Sequence, residues 1–475
     1  MRIGDKLKLK IEKLILGGEG LAYQEKMVVF VPYTCPGDEV IVEVQEVKYN
    51  YSRAKLLEVV HPSEEREAPQ CKYFFRPKLE RFCGGCNWQH LKYSVQLNYK
   101  NRLVEETLKQ LAGIDLNKIK INPPVPSPSI WRYRNKMQVP IGKQKNKVVA
   151  GFYAPQTHKI VDFHDCLLHS VLLNQILQEF KRLLAVSAIP IYDDHTGQGL
   201  LRHLILRQSF ASNKVQLTFV LKDGRLAKIK PLSRKLAAKF PQIQGVFVNI
   251  NPFKTNVILG KETIKVHGKE YLAERIGTMD YFISAESFFQ INPGQTENLY
   301  RRIADFIPDK ESVLWDIYCG CGTIGLRCAG LVKKVYGVEE NKSAVSDAWN
   351  NARKNNIYNA QFFEGKAEKV LSRLFSDHQP AARSSIVILD PPRAGCDPQL
   401  LEMIAQANPE RIIYISCQPS TLARDIKFLQ TKNYLLKEIQ TVDMFPQTSH
   451  IECLAVIDPR IIKEAEKKLA PGSAN

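Results

Sequence analysis

The sequence predicts a multidomain chain with three parts in series: a small OB-like β-barrel, a central α+β region carrying a cysteine cluster, and a C-terminal Rossmann-like α/β domain. Three observations carry this. Residues 1–60 read as short strands punctuated by glycines and a Pro-Gly turn. A tight Cys83-Gly-Gly-Cys86, whose glycines let backbone N–H groups approach a sulfur-ligated centre, follows Cys71 after eleven intervening residues. From residue 312 onward, apolar strands alternate with helical patterns.

Length and composition allow several cores: 475 residues, 44% hydrophobic and 24% charged. The start lacks an apolar signal core and no long uncharged apolar span occurs, so a cytoplasmic protein with no membrane partner is expected, and a monomer. Eleven cysteines in a reducing compartment favour metal ligation or catalysis over disulfides. The net charge is +18, from 67 Lys+Arg against 49 Asp+Glu, and it is unevenly placed. Residues 1–60 hold 9 of each sign, residues 61–285 hold 35 basic and 17 acidic, and the remainder holds 23 of each. A basic excess confined to the middle suggests a surface facing a polyanion, most simply nucleic acid, where a solvated lysine-rich face is the plainer alternative.

In residues 1–60, Leu7 to Ile15, Met27 to Val31, Val40 to Val47 and Arg53 to Val60 are strand-like, with breaks at Gly17, Gly18, Gly20 and Pro36-Gly37-Asp38. The layout resembles the TRAM domain, an RNA-binding barrel of RNA-modifying enzymes. Its zero net charge puts any binding on local patches and on aromatics such as Tyr49 and Tyr51.

Residues 61–285 form the central basic part. Cys71, Cys83 and Cys86, with Cys166 downstream, supply four thiolates, which suit a [4Fe-4S] cluster or a structural zinc; spacing does not separate the two. A redox C-x-x-C is disfavoured because the strand-then-helix context is missing. Ser94 to Leu111 is an amphipathic helix, expected over 94–112 and packed on the catalytic domain. In Trp131-Arg-Tyr-Arg-Asn-Lys, basic and aromatic residues interleave as phosphate contact and base stacking require, with core aromatics as the competing reading. A basic helical segment is expected from Arg225 to Lys239.

Residues 286–458 form the last domain, followed by a tail over 459–475. Ser312 to Tyr318 is a strand carrying Asp316; Cys319-Gly-Cys-Gly-Thr323 then turns into a helix, and the next strand presents Glu339, the acidic position that binds ribose hydroxyls. This much suits NAD or S-adenosylmethionine. Ser385 to Leu389 ends in Asp390-Pro-Pro-Arg, a turn resembling that of methyltransferases acting on nitrogenous bases. Ile412 to Ile415 delivers Cys417 to a strand-to-helix turn, where a helix N-terminus is expected to lower the thiol pKa.

Taken together, Phe289-Gln290-Ile-Asn, Asp316-Ile-Tyr-Cys-Gly-Cys-Gly, Gly337-Val-Glu339, Asp390-Pro-Pro-Arg, Ser416-Cys417 with Thr421-Leu-Ala-Arg-Asp, and His450-Ile-Glu452 resemble the RNA 5-methyluridine methyltransferases. The likeness extends to the bacterial branch that carries a TRAM domain and an iron-sulfur cluster and modifies 23S ribosomal RNA. It implies Gln290, Tyr318, Glu339 and Asp390 as S-adenosylmethionine contacts, Cys417 as nucleophile, Glu452 as base, and a [4Fe-4S] cluster on the four cysteines. Gln418 and Thr323 stand where the family usually has asparagine, and Cys71 and Cys83 are eleven residues apart instead of the usual five.

Uracil C5 is too weak a nucleophile to take a methyl group unaided, so a thiolate that adds at C6 and a carboxylate that removes the C5 proton belong together. Glu452 is expected to start a final strand Ile451 to Ile457. The implied substrate is ribosomal RNA, with tRNA as the rival and a catalytically silent RNA-binding or assembly protein as the reading from another class; a binding module has no use for Cys417, Glu452 and Asp390 at once.

Overall fold

The computed structural model describes residues 1–145, 147–377 and 385–460. Of the tail expected over 459–475, all but the first two residues lie outside them. The chain divides into two compact units: one comprises residues 1–103, 124–299 and 443–450, the other residues 104–123, 300–442 and 451 onward.

The first unit opens with six strands: Lys6–Lys10, Lys13–Leu14, Gly20–Gln24, Met27–Val31, Glu39–Val47 and Tyr51–His61. They form one sheet in the sequence order 1-5-6-4-3-2. The alternating run from Glu39 explains its inner face: Val40, Val42 and Val44 are fully buried while the residues between them are not. Buried Asp38, in the Pro-Gly-Asp turn, accepts from the N–H of Cys35 at 2.6 Å and from the Arg66 guanidinium at 3.0 Å, which fastens the linker after the barrel back onto it. Tyr33 continues the barrel core outward, stacked on Phe75 at 4.4 Å and edge-on to Phe74 and Phe82. The cysteine loop is thereby seated on the barrel. Of the two aromatics expected to offer stacking faces, Tyr49 is 96% exposed, whereas Tyr51 packs against Phe30 at 5.6 Å.

A seven-stranded sheet follows in the spatial order Ile160–Asp162, Lys147–Tyr153, Lys136–Gln144, Leu201–Gln208, Val215–Leu221, Ile243–Ile250 and Glu262–Gly268. The helix Val171–Ala185 covers it, with Leu173, Ile176, Leu177 and Phe180 buried at the spacing of one helical face. The expected basic helix divides into a short 3-10 turn, Leu226–Lys228, and an α-helix, Lys230–Lys239. Leu232 and Leu236 face inward there, while Arg234 and Lys235 stay exposed.

The second unit is built on an eight-stranded sheet. Its order is Ala360–Glu364, Lys334–Glu339, Val313–Ile317, Ser385–Leu389, Arg411–Ser416, Cys453–Pro459, Tyr434–Val442 and Lys120–Val125. The first five strands are parallel, and Cys453–Pro459 is inserted antiparallel between Arg411–Ser416 and Tyr434–Val442. The final strand therefore begins at Cys453, two residues later than expected, because Ile451 and Glu452 turn the chain into it.

The long helix Tyr93–Ala112 matches the expected amphipathic helix, and from Val104 onward it belongs to the second unit. Its first half clamps the segment 443–450. Lys100 and Asp443, each with a fully buried side chain, pair at 2.6 Å; the Lys100 ammonium also donates to Phe445 O at 3.0 Å, and the Tyr93 hydroxyl donates to Asp443 at 2.9 Å. Gln96 and Gln447 exchange side-chain and main-chain bonds, and Asn87 holds Ser449. Burial pulls the Lys100 ammonium down, opposed by Asp443, so the pair stands or falls as a unit. Lys100→Met or Asp443→Leu alone should lower the unfolding free energy by about 3–5 kcal/mol in urea titrations, because either leaves a charge buried without a partner, and the double variant should cost less than either. Single variants as stable as the parent would show that the pair carries no such load.

Candidate active site and cysteine cavity

Cys417 follows the strand Arg411–Ser416 and precedes the helix Pro419–Thr431, as expected. Ser416 shapes the turn: its hydroxyl accepts from Gln418 N–H and donates to Gln418 O, both at 3.1 Å. The antiparallel register pairs Ser416 with Cys453, which sets Glu452 opposite Cys417 across the two strands. Glu452 is buried, and its main-chain oxygen accepts from Val442 N–H at 2.8 Å. Asp390 ends the neighbouring parallel strand Ser385–Leu389, so thiol, carboxylate and carboxylate converge at one edge of the sheet.

The electrostatics reverse one expectation. The Cys417 thiol is pushed up to about 11, by burial first, then by Glu452 and Asp390, with Arg393 opposing. The thiol lies before a helix N-terminus, yet burial, followed by the two carboxylates, sets the direction of its shift. Burial raises Asp390 to about 7, and burial with Asp390 nearby holds Glu452 well above the usual carboxylate range. Asp316, buried in mid-strand, is raised to about 7 by burial; its Oδ2 accepts from Gly325 N–H at 2.8 Å and its Oδ1 has no partner.

Around the glycine turn, Glu339 accepts from Gly320 N–H at 3.1 Å and from Asn341 N–H at 2.8 Å. Gly322 has φ +78°, and a Cβ there would press on Phe362 at 3.1 Å. Tyr318 adopts a left-handed φ of +67°, a conformation that costs a non-glycine residue about 1–2 kcal/mol, and its N–H donates to Val338 O at 2.9 Å. Tyr318, Glu339, Asp390, Cys417 and Glu452 all belong to the second unit. Gln290 belongs to the first, where Asn135 donates to its main-chain oxygen at 2.9 Å.

Residues to which the sequence assigned no role lock the loop after Asp390. Asp425 accepts from Cys396 N–H at 2.9 Å and from the Tyr414 hydroxyl at 2.7 Å, Arg424 donates to Ala394 O and Cys396 O, and Thr421 donates to Arg393 O at 3.3 Å. The signal was present as the run Thr421-Leu-Ala-Arg-Asp425; what it holds was not.

In the first unit, Cys71, Cys83, Cys86 and Cys166 line one cavity of about 80 Å³, together with Phe74, Phe152, Arg134 and His169. Gly85 N–H donates to Cys83 Sγ at 3.3 Å, and His169 Nδ1 lies 3.2 Å from Cys166 Sγ. Burial pushes Cys83, Cys86 and Cys166 up to about 12. Among the described residues, no three Cys, His, Asp or Glu side chains come close enough together to hold one metal ion. The Arg134 Nε is buried without a partner. The cavity thus gathers the four expected cysteines, has room for more than one water-sized group, and is bordered by an uncompensated cation.

That cation corrects the reading of Trp131 to Lys136 as a phosphate-contacting run. Arg132 forms a two-pronged pair with Asp165, both bonds 2.7 Å, and also donates to Cys166 O and His169 O. Arg134 borders the cysteine cavity, and burial drives Lys136 down to about 7. Arg134 and Lys136 are drawn inward, while the Arg132 side chain stays 33% exposed in its pair with Asp165.

Comparison with known proteins agrees with this geometry. Residues 92–459 match the family described as tRNA (Uracil-5-)-methyltransferase, and residues 2–57 match the TRAM domain. An uncharacterized RNA methyltransferase of Clostridium tetani is 38% identical over 441 residues, 93% of each chain, and one of Halalkalibacterium halodurans is 36% identical over 456 residues, 96% of this chain and 97% of that one. The crystal structure of Pyrococcus abyssi tRNA (uracil-54, C5)-methyltransferase in complex with S-adenosyl-L-homocysteine superposes with a TM-score of 0.74 at 29% identity, covering 95% of this chain and 99% of that one. No described helix is long and apolar enough to cross a membrane. With a TRAM domain at its N-terminus and a methyltransferase sheet holding Cys417, Glu452 and Asp390 at one edge, the chain belongs to the S-adenosylmethionine-dependent RNA uracil-C5 methyltransferase family.

Proposed function

We propose that the chain methylates C5 of a uridine in RNA through covalent addition of Cys417 at C6, with Glu452 as the base. The observation that carries this is the cross-strand placement of a thiol opposite a buried carboxylate, with Asp390 beside both. The Cys417 thiolate adds to C6, and the electron pair moved to C5 attacks the methyl donor. Glu452 takes the C5 proton, and elimination of the thiol restores the ring. The target base is extruded from its stack to reach the thiol.

S-adenosylmethionine, when bound, supplies the methyl group on a positively charged sulfur. The donor set fits such a group: Glu339 fixed at the end of its strand, Asp390 raised by burial, and an Asp316 carboxylate with one oxygen unpartnered. Gln290, Tyr318, Glu339 and Asp390 are proposed as its contacts. A cation among these carboxylates also draws the Cys417 thiol and the Glu452 carboxyl down, which readies both groups only in the loaded site.

The four cysteines are proposed to hold a [4Fe-4S] cluster. A zinc ion with Zn–S bonds of about 2.3 Å needs four thiolates within about 4 Å of one another. Four thiols around one cavity, with Gly85 N–H donating to Cys83 Sγ, support a thiolate-ligated cluster, with zinc as the alternative. Its anionic thiolates would also give Arg134 the counter-charge it lacks.

Ribosomal RNA is the proposed substrate, following the likeness to the TRAM-bearing, cluster-bearing 23S branch. Transfer RNA is the second reading, favoured by the likeness to the Pyrococcus abyssi enzyme. Mapping 5-methyluridine in ribosomal and transfer RNA from cells with and without this chain decides between them.

RNA carrying 5-fluorouridine at the target should trap a covalent adduct on Cys417, since fluorine does not leave as the proton does, and Cys417→Ala should abolish both trapping and methyl transfer. Methylation by that variant sinks the mechanism. The pH midpoint for alkylation of Cys417, followed on its own peptide by mass spectrometry, should lie near 11 in the free protein. It should fall when sinefungin brings an amine cation to the site and move much less with neutral S-adenosylhomocysteine. Equal shifts with the two would remove the electrostatic account. Anaerobically purified protein should contain iron and sulfide and lose both in Cys83→Ser or Cys86→Ser; one zinc per chain would overturn the cluster.

A further inference from the structure

Apart from the reaction site and the cysteines, the first unit contains a cavity of about 500 Å³, within the size range of small-molecule sites. Its built centre is Arg202, on the strand Leu201–Gln208 and only 4% exposed. One guanidinium nitrogen, Nη1, donates to Asn251 O at 2.7 Å and Phe253 O at 2.6 Å, and the group sits over the Tyr192 ring at 4.6 Å. Its Nε is buried with no partner, and so is Nδ1 of adjacent His203. Burial beside Arg202 holds His203 down to about 4, so it is neutral at physiological pH.

Arg202 is thus part of the cavity's floor, and the walls around it say what the cavity takes. Tyr153 and His158 lie 5.2 Å apart and offer ring faces, and Lys143 and Lys159 stand exposed at the mouth. Asp193 and Asp194 also line it; Asp193 is engaged by the N–H groups of His195 and Thr196, and carboxylates accept from the amino groups of bases. Ring faces, a cationic mouth and carboxylates together match a nucleotide. The cavity has no cysteine in its lining, so the nucleotide it takes is not the one that reacts.

We propose that this cavity holds an unpaired, non-reacting nucleotide of the substrate RNA, with its base against Tyr153 and its phosphate at Lys143 and Lys159. This rests on the RNA-methylating reading and adds a second anchoring point to it. The main-chain bond from Gly84 N–H to Tyr153 O, 2.9 Å, ties one wall of the pocket to the cysteine loop.

The test uses the full chain with unmodified 23S ribosomal RNA and tRNA transcripts, measuring binding, methylation and S-adenosylhomocysteine affinity. Tyr153→Ala should weaken RNA binding about tenfold, from the loss of one base stack. Lys143→Ala with Lys159→Ala, both surface changes that leave folding intact, should flatten the slope of log affinity against log salt by about 0.7 for each lysine on single-stranded RNA. In both variants KM for RNA should rise while kcat and S-adenosylhomocysteine affinity hold. Parental RNA affinity and salt slope in both variants, with a methylating parent, overturn the pocket and leave the methyltransferase reading standing. Tight binding of free adenosine or uridine 5′-monophosphate that Tyr153→Ala destroys without touching RNA affinity assigns the cavity to a free nucleotide and overturns the RNA assignment. A parent that neither binds nor methylates either RNA overturns both readings.

Discussion

The pairing of Cys453–Pro459 antiparallel onto Arg411–Ser416 is the constraint on which the rest of the reaction site depends. A parallel neighbour would have brought its own C-terminal end to this edge, as the strands ending in Glu339 and Asp390 do. The antiparallel insertion brings a strand's beginning there instead, and Glu452 with it. The same register that places the carboxylate also buries it; burial raises Glu452, Asp390 and Cys417 alike, with Asp390 adding to Glu452, and Glu452 and then Asp390 adding to Cys417. Placement and proton affinity are one consequence of one pairing.

Much of this was legible in the sequence. Ser385–Leu389 has the expected boundaries, Arg411–Ser416 is a strand that delivers Cys417 to the following helix, and the amphipathic helix of the central region is Tyr93–Ala112. Long or strongly apolar runs carry their own period. The third barrel strand, Gly20–Gln24, escaped notice because it is five residues long and starts on a glycine that reads as a break. The sign of the Cys417 shift also escaped, because it is set first by burial and then by Glu452 and Asp390, which are near in space and far along the chain. The Lys100–Asp443 pair joins residues 343 positions apart, and no local pattern marks either as buried.

The charge surplus divides into two kinds of cation that a count cannot tell apart. Arg134 and Lys136 are turned inward, and Arg132, a partly exposed group, is tied up by Asp165 and main-chain oxygens. Arg234, Lys235, Lys143 and Lys159 remain on the outside and carry the field that RNA would meet. Interleaved basic and aromatic residues, read as an RNA-facing motif, are here the signature of a packed ring-and-guanidinium interior, since Tyr133 is buried and Arg134 lies over its ring at 5.9 Å.

The excursion of residues 443–450 has a consequence for how the molecule can be dissected. The chain leaves the catalytic unit after Val442, is fastened by Tyr93, Gln96 and Lys100, and returns at Ile451, one residue before Glu452. A minimal catalytic fragment cut at the edge of the sheet would keep every residue of the thiol–carboxylate pair and still lack the anchor that fixes where the base re-enters.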